Sequence, residues 1–351
     1  MKAFVGFAGV GGVDIALREF GFDIVGVEID NDIAEANRAN GGNVITADIR
    51  EINTRDYADY NLMHFSPPCP NFSQANARRR ETNLDRIFGH TMAEFVALAR
   101  PEYFTLENVW SYQRSEAWAI VENALLQNGY GVDFWHLNAA NYGIPQTRKR
   151  MIVIARRDGR KPQKPFPTHA KCPDMFTRVW VGWHEAIADL IPELPETNLA
   201  PWQIDRMPEE INTYLIMTGN KNRNGIDNVP GRGWLKPSSP SNTVTTRGIP
   251  RAVLVSGQYQ TPNYGSKRIV QNRSADQPVW TITASEHLDT RCCFMETGRV
   301  VALTPRALAR LQGFPDWVQL PTDRGLACRV IGNAVPPGLY RAILRSLGFV
   351  K

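Results

Sequence analysis

The sequence predicts an α/β protein in which a Rossmann-like domain is followed by a smaller domain made mostly of β-strands and loops. Short apolar stretches alternate with stretches of helical spacing over the first 155 residues. A glycine-rich segment, FAGVGG, follows the first apolar stretch. After about residue 158 the chain becomes rich in Pro, Gly, Asn and Thr. Alternation of strands and helices is typical of a parallel sheet with helices on its faces.

The individual elements follow from the apolar pattern and from the glycines that interrupt it. The helix-spaced stretch Val13–Phe20, for example, stops at Gly21. The strands expected in this part are Lys2–Phe7, Asp23–Ile29, Asn61–Phe65, Tyr103–Leu106 and Met151–Ala155, and the helices are Val13–Phe20, Asn31–Asn40, Thr91–Ala99 and Ser115–Asn128. Ligands of such sheets bind beyond the carboxyl ends of the strands, at the point where the strand order reverses.

The change in composition along the whole chain suggests three parts. We predict a first domain over residues 1–197, a second over residues 198–298, and a C-terminal segment over residues 299–351. That last segment is too short to fold alone, so we expect it to pack back on the first domain. Short helices are expected at His184–Leu190, at Arg306–Gln312 after the N-cap Thr304, and at Gly338–Leu347.

Composition restricts the class of protein. The 351 residues carry a net charge of +5, which fits a polyanionic partner but is shared by many proteins without one. The five cysteines form no C-x-x-C pair and do not combine with the six histidines at zinc-ligand spacing. We therefore expect free thiols, a reducing cytoplasm and no metal. The N-terminus is a poor signal peptide, and no apolar run approaches the ~18 residues of a membrane span.

The glycine-rich segment Phe7–Gly12 indicates a cofactor site. Glycines let the backbone pass close to a ligand, and the N-terminus of the following helix favours an anionic group. Glu28 ends the next strand, where an acid can bind ribose hydroxyls. A NAD enzyme and a methyltransferase both fit these features. The spacing G-x-G-G differs from the dinucleotide pattern G-x-G-x-x-G, which favours the methyltransferase.

A cysteine follows the expected strand Asn61–Phe65 in the segment Ser66–Ser73, SPPCPNFS. Two prolines fix the backbone there and place Cys69 at the carboxyl end of a strand, facing the cofactor crevice. A thiolate in that position could act as a nucleophile. For an isolated cysteine, a buried small residue in a tight turn is the commoner explanation. An amino-methyltransferase would instead have Asp or Asn before the two prolines.

Two further motifs bring charged groups toward the same crevice. Glu107 stands at the end of the expected strand Tyr103–Leu106, and it could alternatively be an acid that caps a helix. Arg148 and Arg150 precede the next strand and would share one face of it, although a solvated charge run is the alternative.

Taken together and in this order, the motifs resemble those of the DNA cytosine-5 methyltransferase family. FAGVGG is similar to its cofactor loop, SPPCPNFS to its nucleophile motif, ENV to its glutamate motif and QTRKR to its glutamine–arginine motif. RLQGFPD and GNAVP, at Arg310–Asp316 and Gly332–Pro336, are similar to its last two motifs. The resemblance covers residues 7–336 except for about 160–298, where the family has its target-recognition domain.

The resemblance implies a catalytic methyltransferase domain that uses S-adenosylmethionine, with S-adenosylhomocysteine as product, and a flipped-out cytosine in double-stranded DNA. Cys69 would add to C6 of the base, and Glu107 would be held as an acid near N3. Arg150, with Arg148, would stabilise charge at O2 and orient Glu107. The base must leave the duplex for these groups to reach it.

The resemblance also implies a cofactor site and a set of DNA contacts. For the cofactor, the residues are Phe7, Gly9, Gly11 and Gly12 at the methionine end, Glu28 at the ribose, Ile29, Asp48 and Ile49 at the adenine, and Ser66, Pro68, Asn333 and Val335 around them. For DNA, they are Ser73, Arg78, Arg79, Arg80, Gln146, Arg247 and Thr281. The segment Gln74–Phe88 is expected to be a mobile loop that enters the DNA.

Three positions depart from the family pattern, namely Pro70, Val5 and Ala307.

Two other functions stay open at this point. One is an RNA cytosine-5 methyltransferase, and the other is a non-catalytic DNA-binding relative. A NAD-dependent dehydrogenase is a more distant alternative. We expect a monomer, since one flipped base needs one active site, with a cognate restriction endonuclease as a separate partner and no membrane association.

Overall fold

The computed structural model describes residues 1–72, 80–196, 214–221, 268–274, 276–280, 291–294 and 299–351. These residues form two compact units. Unit 1 consists of Met1–Tyr142, Lys149–Thr168 and Ala334–Lys351. Unit 2 consists of Gly143–Arg148 and the described part of His169–Asn333. Within the described residues, no helix is both long and apolar enough to cross a membrane.

A seven-stranded sheet forms the centre of unit 1, in the order β3-β2-β1-β4-β5-β8-β6. Its strands are β1 Lys2–Gly6, β2 Asp23–Glu28, β3 Val44–Thr46, β4 Leu62–Phe65, β5 Tyr103–Asn108, β6 Gly131–Asn138 and β8 Lys149–Arg156. The strands from β3 to β5 are parallel, and β8 is antiparallel to both of its neighbours. The strand order reverses between β1 and β4, so their carboxyl ends border the crevice where a ligand is expected.

Helices of unit 1 pack on this sheet. The helices in the described residues are α1 Gly12–Glu19, α2 Asn31–Ala39, α3 Asn83–Glu94, α4 Glu116–Gln127, α5 Trp183–Ile187, α6 Pro305–Leu311, α7 Arg324–Asn333 and α8 Pro337–Ser346, of which α5, α6 and α7 belong to unit 2. Side chains alternate along β1, so that Ala3 and Val5 join one apolar cluster with Leu17 and Leu339, while Phe4 joins the other. The buried faces of α1 and α8 therefore cover one side of the sheet.

The elements predicted before residue 158 are confirmed to within a few residues, except for one helix. The helix expected at Thr91–Ala99 begins at Asn83, because Asp85 reaches back to accept from the backbone N–H of Thr82 at 2.7 Å. The prediction of a loop over Gln74–Phe88 was therefore wrong from Asn83 onward. Strand β6 and helix α7 were not predicted, since β6 is only half-buried and α7 contains two glycines.

The described residues of unit 2 form eight strands and three helices, α5, α6 and α7. Its strands are β7 Gln146–Thr147, β9 His169–Ala170, β10 Arg178–Val179, β11 Tyr214–Lys221, β12 Arg268–Ser274, β13 Val279–Trp280, β14 Arg291–Phe294 and β15 Arg299–Ala302. The domain boundaries predicted at 198 and 298 fall outside the described residues and stay predictions. Of the C-terminal segment, Ala334–Lys351 lies in unit 1, while residues up to Asn333 lie in unit 2.

The motif RLQGFPD has a structural role within unit 2. Arg310 Nε lies 2.7 Å from a carboxylate oxygen of Asp316, and the same guanidinium also contacts Asp189. The motif thus joins α6 to the segment after α5 through a cation between two acids.

Candidate active site

The loop after β1 has an unusual backbone. Phe7, Gly9 and Gly11 all have positive φ values, of 60°, 56° and 89°. A non-glycine residue in this region costs about 1–3 kcal/mol and persists only where its surroundings hold it. Ser66, which follows β4, donates from its backbone N–H to Gly6 O at 3.4 Å. The strained loop therefore lies at the carboxyl ends of β1 and β4, where the sequence predicted the cofactor.

Glu28 holds this loop in place. One carboxylate oxygen accepts from the N–H of Gly9 and the other from the N–H of Asp30, each at 3.0 Å. Each oxygen keeps a further lone pair that can accept from a ribose hydroxyl. The neighbouring Ile29 is 66% exposed, which is unusual for a large apolar side chain and fits a flat apolar ligand placed against it.

The pair Asp48 and Ile49 is arranged differently from the expectation. Arg50 Nε donates to the Asp48 carboxylate at 2.9 Å and holds the pKa of that carboxyl below its usual range. Ile49 is 4% exposed, with its side chain in the apolar cluster beside Phe65. The Ile49 side chain therefore has no access to a ligand, so a contact with adenine would have to come from the backbone or from Asp48.

The C-terminal segment closes against the glycine loop at one point. A Cβ added to Gly12 would lie 2.3 Å from the carbonyl oxygen of Val335. Residue 12 must therefore be glycine for Val335 to reach the loop. Asn333, the other cofactor residue predicted in this segment, ends α7 in unit 2.

We expect Gly12→Ala to destabilise the protein by about 1–3 kcal/mol and to weaken cofactor binding, since backbone must move to admit the methyl group. Thermal unfolding and calorimetric titration with S-adenosylhomocysteine would measure the two effects. Gly325→Ala is the matched control, because an added Cβ there meets only a side-chain oxygen at 3.3 Å. Equal unfolding temperatures for Gly12→Ala and the wild type would contradict this prediction.

Cys69 lies on the loop beyond β4 as a partly exposed thiol that is in no disulfide. Its carbonyl accepts from the N–H of Phe72 at 3.0 Å, which forms a turn. Asn108, at the end of β5, donates from Nδ2 to Pro67 O at 3.1 Å and joins this loop to the neighbouring strand. Cys328 differs from Cys69, because it is fully buried and burial raises the pKa of its thiol to about 11. Cys69 is therefore the accessible thiol of the two.

Glu107 and Arg150 form a buried ion pair at the same edge of the sheet. Strand β8 runs antiparallel to β5 and places Arg150 beside the carboxyl end of β5. Arg150 Nε lies 2.8 Å from Glu107 Oε1, and the side chains are 10% and 7% exposed. The same oxygen accepts no hydrogen bond from the described residues. Glu107 is thus paired in charge through Oε1, and its other carboxylate oxygen can share a proton with a bound base.

The expectation that Arg148 and Arg150 share one strand face was wrong. Strand β8 begins at Lys149, so Arg148 lies outside it and belongs to unit 2. Arg148 is 1% exposed and donates from Nη1 to Gly332 O at 2.9 Å. It supports the end of α7, and Arg150 is the arginine that pairs with Glu107.

The predicted DNA-contacting residues divide into three groups. Arg80 is exposed. Gln146 is fully buried and donates from Nε2 to Leu311 O at 3.3 Å, and its contact with DNA stays a prediction. Ser73, Arg78, Arg79, Arg247 and Thr281 lie outside the described residues. In the part of the chain that the structure describes, no group of three or more His, Cys, Asp or Glu side chains could hold a metal ion.

Three supporting residues were missed by the sequence reasoning. Asn37 on α2 donates from Nδ2 to Gly9 O at 2.9 Å and so holds the glycine loop. Asn108 holds the cysteine loop, as described above. Asp85 accepts from Asn71 Nδ2 at 2.9 Å and from the N–H of Thr82, so it ties together the two sides of residues 73–79. Only Asp85 had a sequence signal, the T-x-x-D pattern of a helix start.

The chain is similar in sequence to proteins of one known family. The model of the family described as C-5 cytosine-specific DNA methylase matches residues 4–348. The chain is 28% identical over 360 residues to the type II methyltransferase M1.HphI of Haemophilus parahaemolyticus, covering 97% of this chain and 85% of that protein. It is 27% identical over 367 residues to the type II methyltransferase M.XorII of Xanthomonas oryzae pv. oryzae, covering 96% and 82%.

Solved structures show the same fold. The Entamoeba histolytica methyltransferase EhMeth superimposes with a TM-score of 0.62 at 13% identity, covering 99% of this chain and 97% of that one. The S. pombe Dnmt2 methyltransferase gives a TM-score of 0.58 at 17% identity, covering 99% and 98%. At these identities the likeness concerns the fold alone.

Proposed function

Because this chain belongs to the C-5 cytosine-specific DNA methylase family, whose general reaction is methylation of cytosine with S-adenosylmethionine, we propose that it methylates cytosine within a short, specific DNA sequence. We propose further that Cys69 is the nucleophile that forms a covalent bond to that cytosine. The observation that carries the proposal is one edge of the sheet in unit 1. There the partly exposed Cys69 follows β4, and the buried pair of Glu107 and Arg150 joins β5 to β8.

The residues at the crevice fit S-adenosylmethionine. The left-handed backbone of the glycine loop leaves open space at Gly9, and Gly12 admits Val335. Glu28 would accept from the ribose hydroxyls, and the exposed Ile29 would lie against the adenine. The remaining predicted contacts at Phe7, Gly11, Asp48, Ile49, Ser66, Pro68, Asn333 and Val335 belong to the same proposal. When bound, this cofactor supplies an electrophilic methyl group.

We assign each bond change in the reaction to residues of this chain. The Cys69 thiolate forms a bond to C6 of cytosine, and the electrons of the C5–C6 double bond move to C5. Glu107 takes up a proton from water as the base binds and shares it with N3, so that the ring can accept those electrons. Arg150 holds Glu107 in place at 2.8 Å and would stabilise charge at O2. After methylation, a water molecule accepts the C5 proton, the electrons of the C5–H bond restore the C5–C6 double bond, and the C6–S bond breaks to release the Cys69 thiolate.

The partners follow from this chemistry. Cytosine in a duplex must be flipped out to meet Cys69, and unstacking costs a few kcal/mol. We assign the phosphate contacts to Arg80 and to the arginines at 78, 79 and 247, with Ser73 and Thr281 near the flipped nucleotide. A monomer in the cytoplasm, where the DNA is, suffices for one flipped base. The relatives named as type II methyltransferases favour a separate cognate restriction endonuclease as a partner.

We would test the function with purified protein, S-adenosylmethionine and unmethylated genomic DNA, and map 5-methylcytosine by sequencing. Methyl groups at one short motif are the expected result. A parallel incubation with tRNA separates the RNA alternative, since methylation of tRNA alone would refute a DNA substrate. Absence of methylation on both, with S-adenosylhomocysteine still bound, would indicate the non-catalytic relative instead.

A further inference from the structure

A chain of buried hydrogen bonds runs through unit 1 from helix α8 to the start of the cysteine loop. Tyr340 OH lies 2.9 Å from Thr105 Oγ1, and Thr105 Oγ1 lies 2.9 Å from His64 Nδ1. His64 Nε2 lies 2.7 Å from Ser66 Oγ. The ring of Tyr340 also contacts the His64 ring edge-on, with 4.9 Å between the centroids. Three of the four side chains are buried, and Ser66 alone is partly exposed, beside the end of β1.

His64 is neutral in this environment. Its exposure is 1%, and burial lowers the pKa of the imidazole to about 3. A neutral imidazole has one N–H donor and one acceptor nitrogen, so its two hydrogen bonds must run in opposite senses. The partners of His64 therefore decide which nitrogen carries the proton.

The direction of the chain follows from its buried end. Tyr340 is fully buried, and in the described residues its hydroxyl has one hydrogen-bond partner, Thr105 Oγ1. A buried hydroxyl that donates to nothing is costly, so Tyr340 donates to Thr105. The Thr105 hydroxyl then donates either to His64 Nδ1 at 2.9 Å or to Met63 O at 3.4 Å. The shorter contact is favoured, which makes Nδ1 the acceptor and leaves the proton on Nε2.

The consequence appears at Ser66. The Nε2–H of His64 donates to Ser66 Oγ, so the Ser66 hydroxyl cannot donate back and its own proton must point to another acceptor. Ser66 lies next to the glycine loop, where its backbone N–H reaches Gly6 O. The anionic group of S-adenosylmethionine is the carboxylate of its methionine end, which is an acceptor of the right kind.

We propose that His64, oriented by Thr105 and Tyr340, is a positioning residue that turns the Ser66 hydroxyl toward the cofactor as a donor to the methionine carboxylate. This inference rests on the proposed function for the identity of the ligand. It also gives helix α8 a second role beyond covering the sheet, because Tyr340 sets the donor-to-acceptor direction of every hydrogen bond from Thr105 to Ser66.

The tautomer of His64 can be measured without any ligand. Protein with ¹⁵N-labelled histidine would be examined by long-range ¹H–¹⁵N correlation NMR, with His64→Gln used to assign the signals. The expected spectrum shows His64 as a neutral ring protonated on Nε2, unchanged from pH 6 to pH 8. A ring protonated on Nδ1 would overturn the proposal, since Ser66 would then donate to His64.

Two ligands separate a contact with the carboxylate from a general loss of structure. S-adenosylhomocysteine carries the amino-acid group, whereas 5′-methylthioadenosine lacks it. Calorimetry should show that Ser66→Ala weakens the binding of S-adenosylhomocysteine by about tenfold, the usual effect of losing a hydrogen bond to a charged group. The affinity for 5′-methylthioadenosine should stay within roughly twofold. Equal weakening of both ligands would contradict the assignment of Ser66 to the carboxylate.

Tyr340→Phe tests the far end of the chain. We expect both His64 tautomers to be populated in this variant. The binding of S-adenosylhomocysteine should weaken by roughly threefold, with kcat at saturating cofactor nearly unchanged. Tyr130→Phe is the matched control, since the buried Tyr130 hydroxyl donates to Pro101 O at 2.6 Å and that bond would also be lost. Both variants should lose similar stability, and Tyr130→Phe should leave the affinity and the tautomer intact.

The possible failures are distinct. A wild-type protein that binds neither ligand contradicts the proposed function, and the NMR spectrum then still decides the sense of the hydrogen-bond chain. A Tyr340→Phe variant with unchanged affinity and an unchanged tautomer overturns the positioning role, whatever the wild type binds.

Discussion

Cys69→Ala should abolish DNA methylation, lowering the rate by on the order of 10⁴-fold or more, as removal of a covalent nucleophile does in other enzymes. Without the thiolate, no electron pair is pushed to C5 of cytosine, and C5 is a poor nucleophile by itself. The fold should be unaffected, because Cys69 lies on a loop and is partly exposed. Binding of S-adenosylhomocysteine should therefore remain.

The covalent step can be tested directly by its product. In DNA with 5-fluorocytosine at the target site, C5 has no proton to lose after methylation, so the bond between Cys69 and C6 cannot break. A cross-linked species that resists denaturation is expected from the wild type and not from Cys69→Ala. Cys172→Ala is the matched control, since this cysteine is also exposed. Methylation by Cys69→Ala at the wild-type rate would sink the proposed mechanism.

Arg150→Ala should be the most destabilising of the active-site changes. Glu107 is 7% exposed, and removing its partner leaves a buried carboxylate without a counter-charge. Breaking a buried ion pair in this way typically costs about 3–5 kcal/mol, unless the carboxylate takes up a proton. Methylation should fall as well, because Glu107 loses the cation that orients it.

The double variant Arg150→Ala with Glu107→Gln separates stability from catalysis. A neutral amide should regain most of the lost stability, since no unpaired charge remains buried. Activity should stay lost, because an amide cannot supply the proton to N3. Urea denaturation and methylation assays would measure the two effects. Arg160→Ala, at a side chain that is 77% exposed, should change neither. A double variant as unstable as Arg150→Ala would contradict the account of a stranded charge.

The local pattern of the sequence determined the positions of most helices and strands of unit 1, although not the order of the strands in the sheet. Apolar stretches of strand length alternate with helical spacing up to residue 155, and glycines mark the helix ends. These features depend on neighbouring residues along the chain, which is why β1, α1, β2 and α2 were predicted closely. The motifs around Cys69 and Glu107 were also placed at strand ends, and parallel strands bring such ends to one edge.

Side-chain partners distant in sequence were decided by the tertiary structure alone. Arg148 and Arg150 look equivalent in the sequence, yet one donates to Gly332 O and the other pairs with Glu107. The full burial of Gln146, whose side chain donates to Leu311 O, was likewise decided by residues distant in sequence.

The hydrogen-bond chain through His64 shows the physical reason. Thr105 and Tyr340 are 235 positions apart in the sequence, and no local pattern records that their hydroxyls meet. The sequence by itself determined which elements form and which reactive groups stand at their ends. Folding decided which polar groups are shut away from water together, and a buried polar group must take whichever partner the packing brings to it.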